Sequence, residues 1–205
     1  MPVSANMISA TVFIDDFNRA NGSLGSNWSG TGLQIISNAV YSTTGGVSVL
    51  NSASVIFPPD QEAQLTLTAR QTFDYIGAGV RMGTGYTGYA LAIDGASNSV
   101  SGVQRLNGVG QTRIASGIWS ISDVGDVFKI RIVGNVITVF KNNVVVAQVT
   151  DNTYTSGQPG LFYIRDNING TRGDNFIATD IPTTNAKSLC IVSQTPVGKL
   201  IVGSQ

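Results

Sequence analysis

Histidine is absent from this chain, Glu62 is its sole glutamate and Cys190 its sole cysteine. Without histidine, no Ser-His-Asp or Cys-His nucleophilic arrangement can be built, and no His-based zinc or iron site. Cys190 has no partner for an internal disulfide. Charge is also scarce: 12 Lys and Arg balance 12 Asp and Glu, and charged residues make up 12% of the 205 positions. The basic residues are scattered singly, so the chain lacks the stripe or patch that a nucleic-acid binder uses. No apolar run approaches the roughly 18 residues of a membrane-spanning helix. The opening "MPVSANMISATVF" has neither the positive start nor the apolar stretch of a signal peptide. The expectation is a chain made and folded in a reducing cytoplasm without a cofactor.

The chain is rich instead in turn formers, with 24 glycines and many Ser, Thr and Asn residues. Sustained helical periodicity is missing, whereas period-two alternation recurs. In "QEAQLTLTAR", Ala63, Leu65, Leu67 and Ala69 alternate with polar residues, which predicts a half-buried strand. In "DVFKIRIVGNVITVFKNNVVVAQV", Phe128, Ile130 and Ile132 share a face, with turns at Gly134-Asn135 and Lys141-Asn142-Asn143. "IGAGVRMG" and "GYALAIDG" read as strands joined by "GTGYTG", and "LQIISNAVYS" and "SGQPGLFYI" add more. Short strands with turns between them predict an all-β fold, an antiparallel two-sheet sandwich or jelly roll.

Three segments follow: a lead at 1–11, a domain at 12–181 and an arm at 182–205. The arm reads as two short apolar strands, residues 189–193 and 199–203, around a Pro-Val-Gly turn. An isolated two-stranded ribbon is marginal in water, so the arm needs a surface to lie on. Leu189, Ile191, Leu200 and Ile201 are its candidate assembly contacts.

The densest cluster of special residues is "DDFNRANGSLGSNW" at 15–28. It reads as a latch: Phe17, Leu24 and Trp28 anchor it, Asn21-Gly22 and Gly25 turn it, and Asp16 pairs with Arg19. Together with "GAGVRMG…GYALAID", "GDVFKIRIVGNVITVFKNNVVV" and "TYTSGQPGL…NGTRGDNFIAT", in that order, it resembles a concanavalin A-like lectin/glucanase domain of the laminin-G-like jelly-roll type. The resemblance spans about residues 12–181. It implies that the first and last strands lie side by side, making "DDF" and "DNF" neighbours. Asp15, Asp16, Asn18 and Asn21 could offer oxygens to Ca²⁺, although their spacing is not that of a Ca²⁺ loop; some members of that family hold a structural Ca²⁺ where the terminal strands meet, and Asp16 with Asp174, helped by backbone carbonyls, would be the pair here. The metal question stays open at this point.

Members of that family include glycan-binding modules, polysaccharide-cleaving enzymes and structural proteins of bacterial viruses. The enzymes of laminarinase type carry Glu-x-Asp-x-x-Glu on one strand, one glutamate as nucleophile and the other as acid/base. Glu62 stands alone, and the pair Asp123 and Asp126 flanks an apparent turn, so the chain reads as a non-enzyme. Candidate sugar contacts are Arg81, Tyr86, Trp119 and Arg165, since aromatic faces stack on sugar rings and arginine donates to hydroxyls; Tyr89 shares a face with Leu91 and Ile93 and reads as core. The sequence favours a bacteriophage virion subunit, a capsid-decorating or tail-associated homo-oligomer assembled in the host cytoplasm. The alternative is a lectin-like module binding cell-surface glycan, with a polysaccharide hydrolase or lyase third.

Overall fold

The computed structural model describes residues 10–43, 48–71, 74–94, 102–116, 123–164 and 170–182. Among them there is no helix, and sixteen strands follow one another. These are β1 (Val12–Asp15), β2 (Gly22–Ser23), β3 (Trp28–Gly30), β4 (Leu33–Ile36), β5 (Ala39–Ser42), β6 (Ser48–Ala53), β7 (Gln61–Ala69) and β8 (Tyr75–Gly83). The second half supplies β9 (Thr87–Asp94), β10 (Gly102–Asn107), β11 (Gln111–Ser116), β12 (Val127–Val133), β13 (Val136–Lys141), β14 (Val144–Thr150), β15 (Gln158–Ile164) and β16 (Arg172–Asp180). They form two antiparallel sheets. A nine-stranded sheet runs β14-β13-β12-β7-β16-β5-β4-β2, with β1 also on β16; a seven-stranded sheet runs β11-β10-β9-β8-β15-β6-β3. The fold is the expected all-β sandwich.

Side-chain alternation places the core between the sheets. Ala63, Leu65 and Leu67 of β7 and Phe128, Ile130 and Ile132 of β12 point inward, while Ala69 at the end of β7 is half-buried. They meet Ile76, Ala78 and Val80 of β8 and Tyr89, Leu91 and Ile93 of β9 in one apolar cluster. Tyr89 is therefore core, as its face predicts. Tight turns connect these strands where the sequence supplies residues that accept positive φ. Ser37-Asn38 (φ 50° and 58°) turns β4 into β5, and Asn142-Asn143 (φ 50° and 65°) turns β13 into β14. Two consecutive positive values are the geometry that matches the strand twist of a two-residue hairpin. "LQIISNAVYS" is thus a hairpin rather than one strand.

β8 and β9 are buried on both faces. Their outward residues, Tyr75, Met82, Ala90 and Ala92, join Leu106 and Phe162 in a second apolar cluster. This is why "IGAGV" and "YALAI" read as continuous apolar runs rather than alternating ones.

The terminal strands lie side by side, with Asp15 of β1 opposite Phe176 of β16. Trp28 belongs to the other sheet, paired with Ala53 of β6. Its ring packs edge-on against Phe13 at 5.2 Å and Phe176 at 5.1 Å, and lies 6.1 Å from Phe17. Its indole N–H donates to Asp15 Oδ2 at 2.6 Å. The arginine pairing differs from the expected one: Arg19 grips Asp15, not Asp16, with Nη1 at 2.6 Å from Oδ1 and Nη2 at 2.9 Å from Oδ2. Strand alternation explains the difference. Asp15 is an inward position of β1, and the positive φ of Phe17 (49°) folds the chain back so that Arg19 passes over it. Asp16 Oδ1 instead accepts from the Asn18 amide at 3.1 Å.

Burial works to raise the Asp15 carboxyl, but the hydrogen bonds from Arg19, Trp28 and the Phe17 amide outweigh it and hold the group below the usual carboxylate range. The latch is therefore an anion fully served by donors inside an aromatic wall. Trp28→Ala should destabilise the protein by about 3–5 kcal/mol, the usual cost of truncating a buried large aromatic. Urea unfolding reads this directly.

Candidate functional site at the loop end of the sandwich

One end of the sandwich gathers five connections: residues 58–60, 84–86, 108–110, 134–135 and 151–157. Two charges, Arg81 buried and Asp151 half-buried, hold 58–60, 134–135 and 151–157. The first is Arg81, which sits at a β-bulge of β8 where the register against β9 shifts between Val80 and Gly83. Its φ of 50° breaks the inward–outward alternation, so its side chain runs to the end of the sandwich and Met82 turns to the outer face. Arg81 is 3% exposed. Its Nε donates to the Pro59 carbonyl at 2.9 Å, Nη1 to Tyr154 O at 2.9 Å, and Nη2 to Gly134 O at 2.7 Å. Asp60 Oδ1 stands 3.4 Å from Nη2. The Arg81 amide donates to Gln61 Oε1, and Gln61 Nε2 donates to Pro58 O and Gly157 O. Gly157 is required here: its φ is 141° and a Cβ would come within 2.3 Å of the Arg81 carbonyl carbon. Arg81 therefore corrects the sequence reading. It is not offered to a sugar; it ties three loops together from inside.

The second charge is Asp151. Its Oδ1 accepts from the Tyr89 hydroxyl at 2.6 Å and the Thr153 amide at 2.9 Å, and its Oδ2 accepts from Arg105 Nη1 at 2.8 Å. Burial pushes toward protonation, yet the bonds from Tyr89 and Thr153 and the Arg105 charge win, and the carboxyl is held down to about 2. Tyr89, buried and donating to that carboxylate, is pushed up to about 12. The Tyr89 oxygen also accepts from the Tyr154 amide at 2.9 Å, and the Tyr154 hydroxyl donates to Leu106 O. Sequence reading missed this network because Asp151, Tyr89 and Arg105 lie on three separate strands or loops, and no local pattern links them.

On this scaffold two hairpins sit side by side. Tyr86 lies at the β8–β9 turn with φ 61°, a conformation that costs a bulky residue on the order of 1–3 kcal/mol and persists where surrounding contacts enforce it. Its carbonyl accepts from the Gly108 amide at 2.8 Å and its hydroxyl donates to Gln111 Oε1 at 3.1 Å, so the β10–β11 hairpin fixes both ends of the residue. The ring is half-buried, 6.3 Å from Phe162. Around it lie exposed Thr84, Gly85, Asn107 and Gln111, with Val109 98% exposed. The β10–β11 hairpin was not read from sequence, although "NGVG" between "VQRL" and "QTRIA" is a turn signal. Trp119, Arg165, Leu189, Ile191, Leu200 and Ile201 lie outside the described residues.

Other acid groups are committed elsewhere. Glu62 meets Arg131 at 2.6 Å and Lys129 at 3.6 Å on the outer face of the nine-stranded sheet. Asp126 is bound by Lys141 at 2.9 Å and Asn142, and accepts from the Asp123 amide, so that acid pair pins a turn. Asp174 accepts from the Asn175 amide at 2.7 Å. Burial, with the negative charges of Asp16 and Asp15 nearby, raises its carboxyl. Among the described residues no group of three or more acidic or cysteine side chains is placed to hold a metal ion.

No known family matches the chain, and no curated protein matches it. Solved structures do. The carbohydrate-binding module CBM66 from Bacillus subtilis matches with a TM-score of 0.59 at 15% identity, covering 75% of this chain and 92% of that one. The carbohydrate recognition domain of Emp47p matches at 0.56 and 15% identity, over 82% and 93%. A prokaryotic β-1,3-1,4-glucanase (lichenase) derived from a mouse hindgut metagenome matches at 0.58 and 10% identity, over 83% and 99%. The chain has the concanavalin A-like lectin/glucanase fold, in which both glycan binders and a glycan-cleaving enzyme occur.

The depressed Asp151 carboxyl has a measurable consequence. Its bonds stabilise the fold above the ordinary carboxylate pKa of about 4, and that contribution is lost as pH falls through the folded value. Asp151→Asn should lower the urea midpoint at pH 7 and lose less further stability than the parent on acidification toward pH about 2.

Proposed function

We propose that this chain is a non-catalytic carbohydrate-binding module that takes glycan at the paired hairpins around Tyr86. The observation that carries the reading is Tyr86 itself. A bulky aromatic is kept in a strained conformation, fixed through its carbonyl and hydroxyl, with part of its ring open among Thr84, Asn107 and Gln111. A rigid apolar face ringed by amide and hydroxyl groups suits a sugar, whose C–H face packs on aromatic rings while its hydroxyls hydrogen-bond at the rim. The likeness to a carbohydrate-binding module and a carbohydrate recognition domain supports this reading. The sole glutamate, engaged by Arg131 and Lys129, supports a binding role over hydrolysis, since double-carboxylate chemistry needs a second acid beside the first. The virion role favoured by sequence finds no support in the relatives named above, none of which is a virion protein.

A glycan array followed by calorimetry tests the proposal. Tyr86→Ala should weaken binding by about tenfold or more, equivalent to losing roughly 1.4 kcal/mol, with the folded state at the assay temperature confirmed by circular dichroism. Gln111→Ala should weaken it less. An array on which the parent binds nothing, or a Tyr86→Ala variant that binds as the parent does, would overturn the proposal.

A further inference from the structure

A two-layer sandwich turns the outer face of each sheet toward solvent, yet the outer face of the seven-stranded sheet is buried. On it β8, β9, β10 and β15 present Tyr75, Met82, Ala90, Ala92, Leu106 and Phe162. Ala90, Ala92, Leu106 and Phe162 are 0% exposed and Met82 is 1% exposed. Side chains in the middle of a sheet face reach such values only under a covering layer. None of the sixteen strands supplies it: each belongs to one of the two sheets, and the strands across the core meet the inner residues of β8 and β9. Half-buried Tyr86 and Ile164 pack against the cluster, Tyr86 at the β8–β9 turn and Ile164 at the other end, opposite Tyr75. The burial exists within one chain, so the cover belongs to the same chain.

We propose that this face is the seat of the chain's own arm, with the two apolar stretches 189–193 and 199–203 lying across it. The other stretches outside the described residues fit less well. Residues 44–47, 72–73, 117–122 and 165–169 each connect a strand of one sheet to a strand of the other. Residues 95–101 leave β9 and return to β10 at one end, and so cannot also reach Met82 and Leu106 at the other. The lead at 1–9 has Met7-Ile8 as its longest apolar run. The arm has the length, the composition and the starting point. β16 faces β8 across the core and ends at Asp180, and the Ile181 amide donates to Asp60 O at the loop end, where Met82 and Leu106 also lie. Residues 183–188 reach about 20 Å when extended, against roughly 10 Å between packed sheets. A five-residue stretch is about 16 Å long as a strand, and β10, β9, β8 and β15 together span three strand spacings, about 14 Å. The clustered side chains of the seat carry no charge, and Lys199 is the arm's only charge between 189 and 203. Docked there, the arm closes the broad face of this sheet and leaves the Tyr86 hairpins as the open surface at its end.

Cys190, the sole cysteine, lies in the first apolar stretch and reports on docking in the full chain. Its reaction with the thiol reagent DTNB should run about a hundredfold or more slower in the native chain than in urea, at a rate independent of protein concentration. Leu200→Asp, in the other stretch, should release the arm. Cys190 should then react within about threefold of its unfolded rate, and binding of the dye ANS should rise as the apolar face opens. Ala92→Arg places a charge in the seat and should free Cys190 likewise; if it fails to fold, the dye response of Leu200→Asp decides. A parent Cys190 that reacts at the unfolded rate would overturn the proposal, as would a Cys190 that stays protected in Leu200→Asp or in folded Ala92→Arg, or an arm released without added dye binding. Protection that grows with protein concentration would overturn it too, and would assign the arm to a second copy.

Discussion

The Asp15 carboxylate is the point on which closure of this sandwich depends. It ends a strand of the nine-stranded sheet, yet it accepts the indole N–H of Trp28 from the seven-stranded sheet, the guanidinium of Arg19 and the amide of Phe17. Removing any one donor leaves a buried anion underserved, and unserved buried charge costs several kcal/mol. The aromatic wall of Phe13, Phe17, Trp28 and Phe176 excludes water from the bonds and so strengthens them. Packing and polar satisfaction thus support each other at one site: the rings dry the carboxylate, and the carboxylate fixes the orientation of the largest ring.

The opposite kind of charge plays the corresponding role at the loop end. Arg81 is a cation among carbonyl oxygens, and Asp151 is an anion among hydroxyl, amide and guanidinium donors. Between them they fix the connections at 58–60, 134–135 and 151–157; Tyr154 meets Tyr89 of β9, and its hydroxyl, donating to Leu106 O, carries that order to β10. The Tyr86 turn is held separately, by the Gly108 amide and Gln111 of the neighbouring hairpin, and those bonds keep an aromatic residue in a strained conformation. A binding surface built on such loops loses little conformational entropy when a ligand arrives.

The sequence made the fold legible and the site only partly so, for one physical reason. Strands with one buried face write their orientation as alternation, and Ala63, Leu65, Leu67, Phe128, Ile130 and Ile132 could be placed from it directly. The latch was legible as a unit because its anchors Phe17, Leu24 and Trp28 are close in sequence. Its ion pair was assigned to Asp16 because the reversal at Phe17, a positive φ in a bulky residue, leaves no compositional trace. Arg81 was read as exposed for the same reason: the bulge that shifts its phase depends on pairing with two other strands. Tyr86 could be picked out because its glycine-flanked turn is local. Its partner Gln111 lies on another hairpin, and only the sheet order brings the two together.

The most direct test of closure through Asp15 is a double-mutant cycle with Asp15→Ala and Trp28→Phe, measured by urea unfolding at neutral pH. If the carboxylate joins the two sheets through the indole, the losses will be non-additive, with a coupling energy of about 0.5–3 kcal/mol. Losses that simply add would contradict it, and would leave the aromatic wall alone to hold the sheets together.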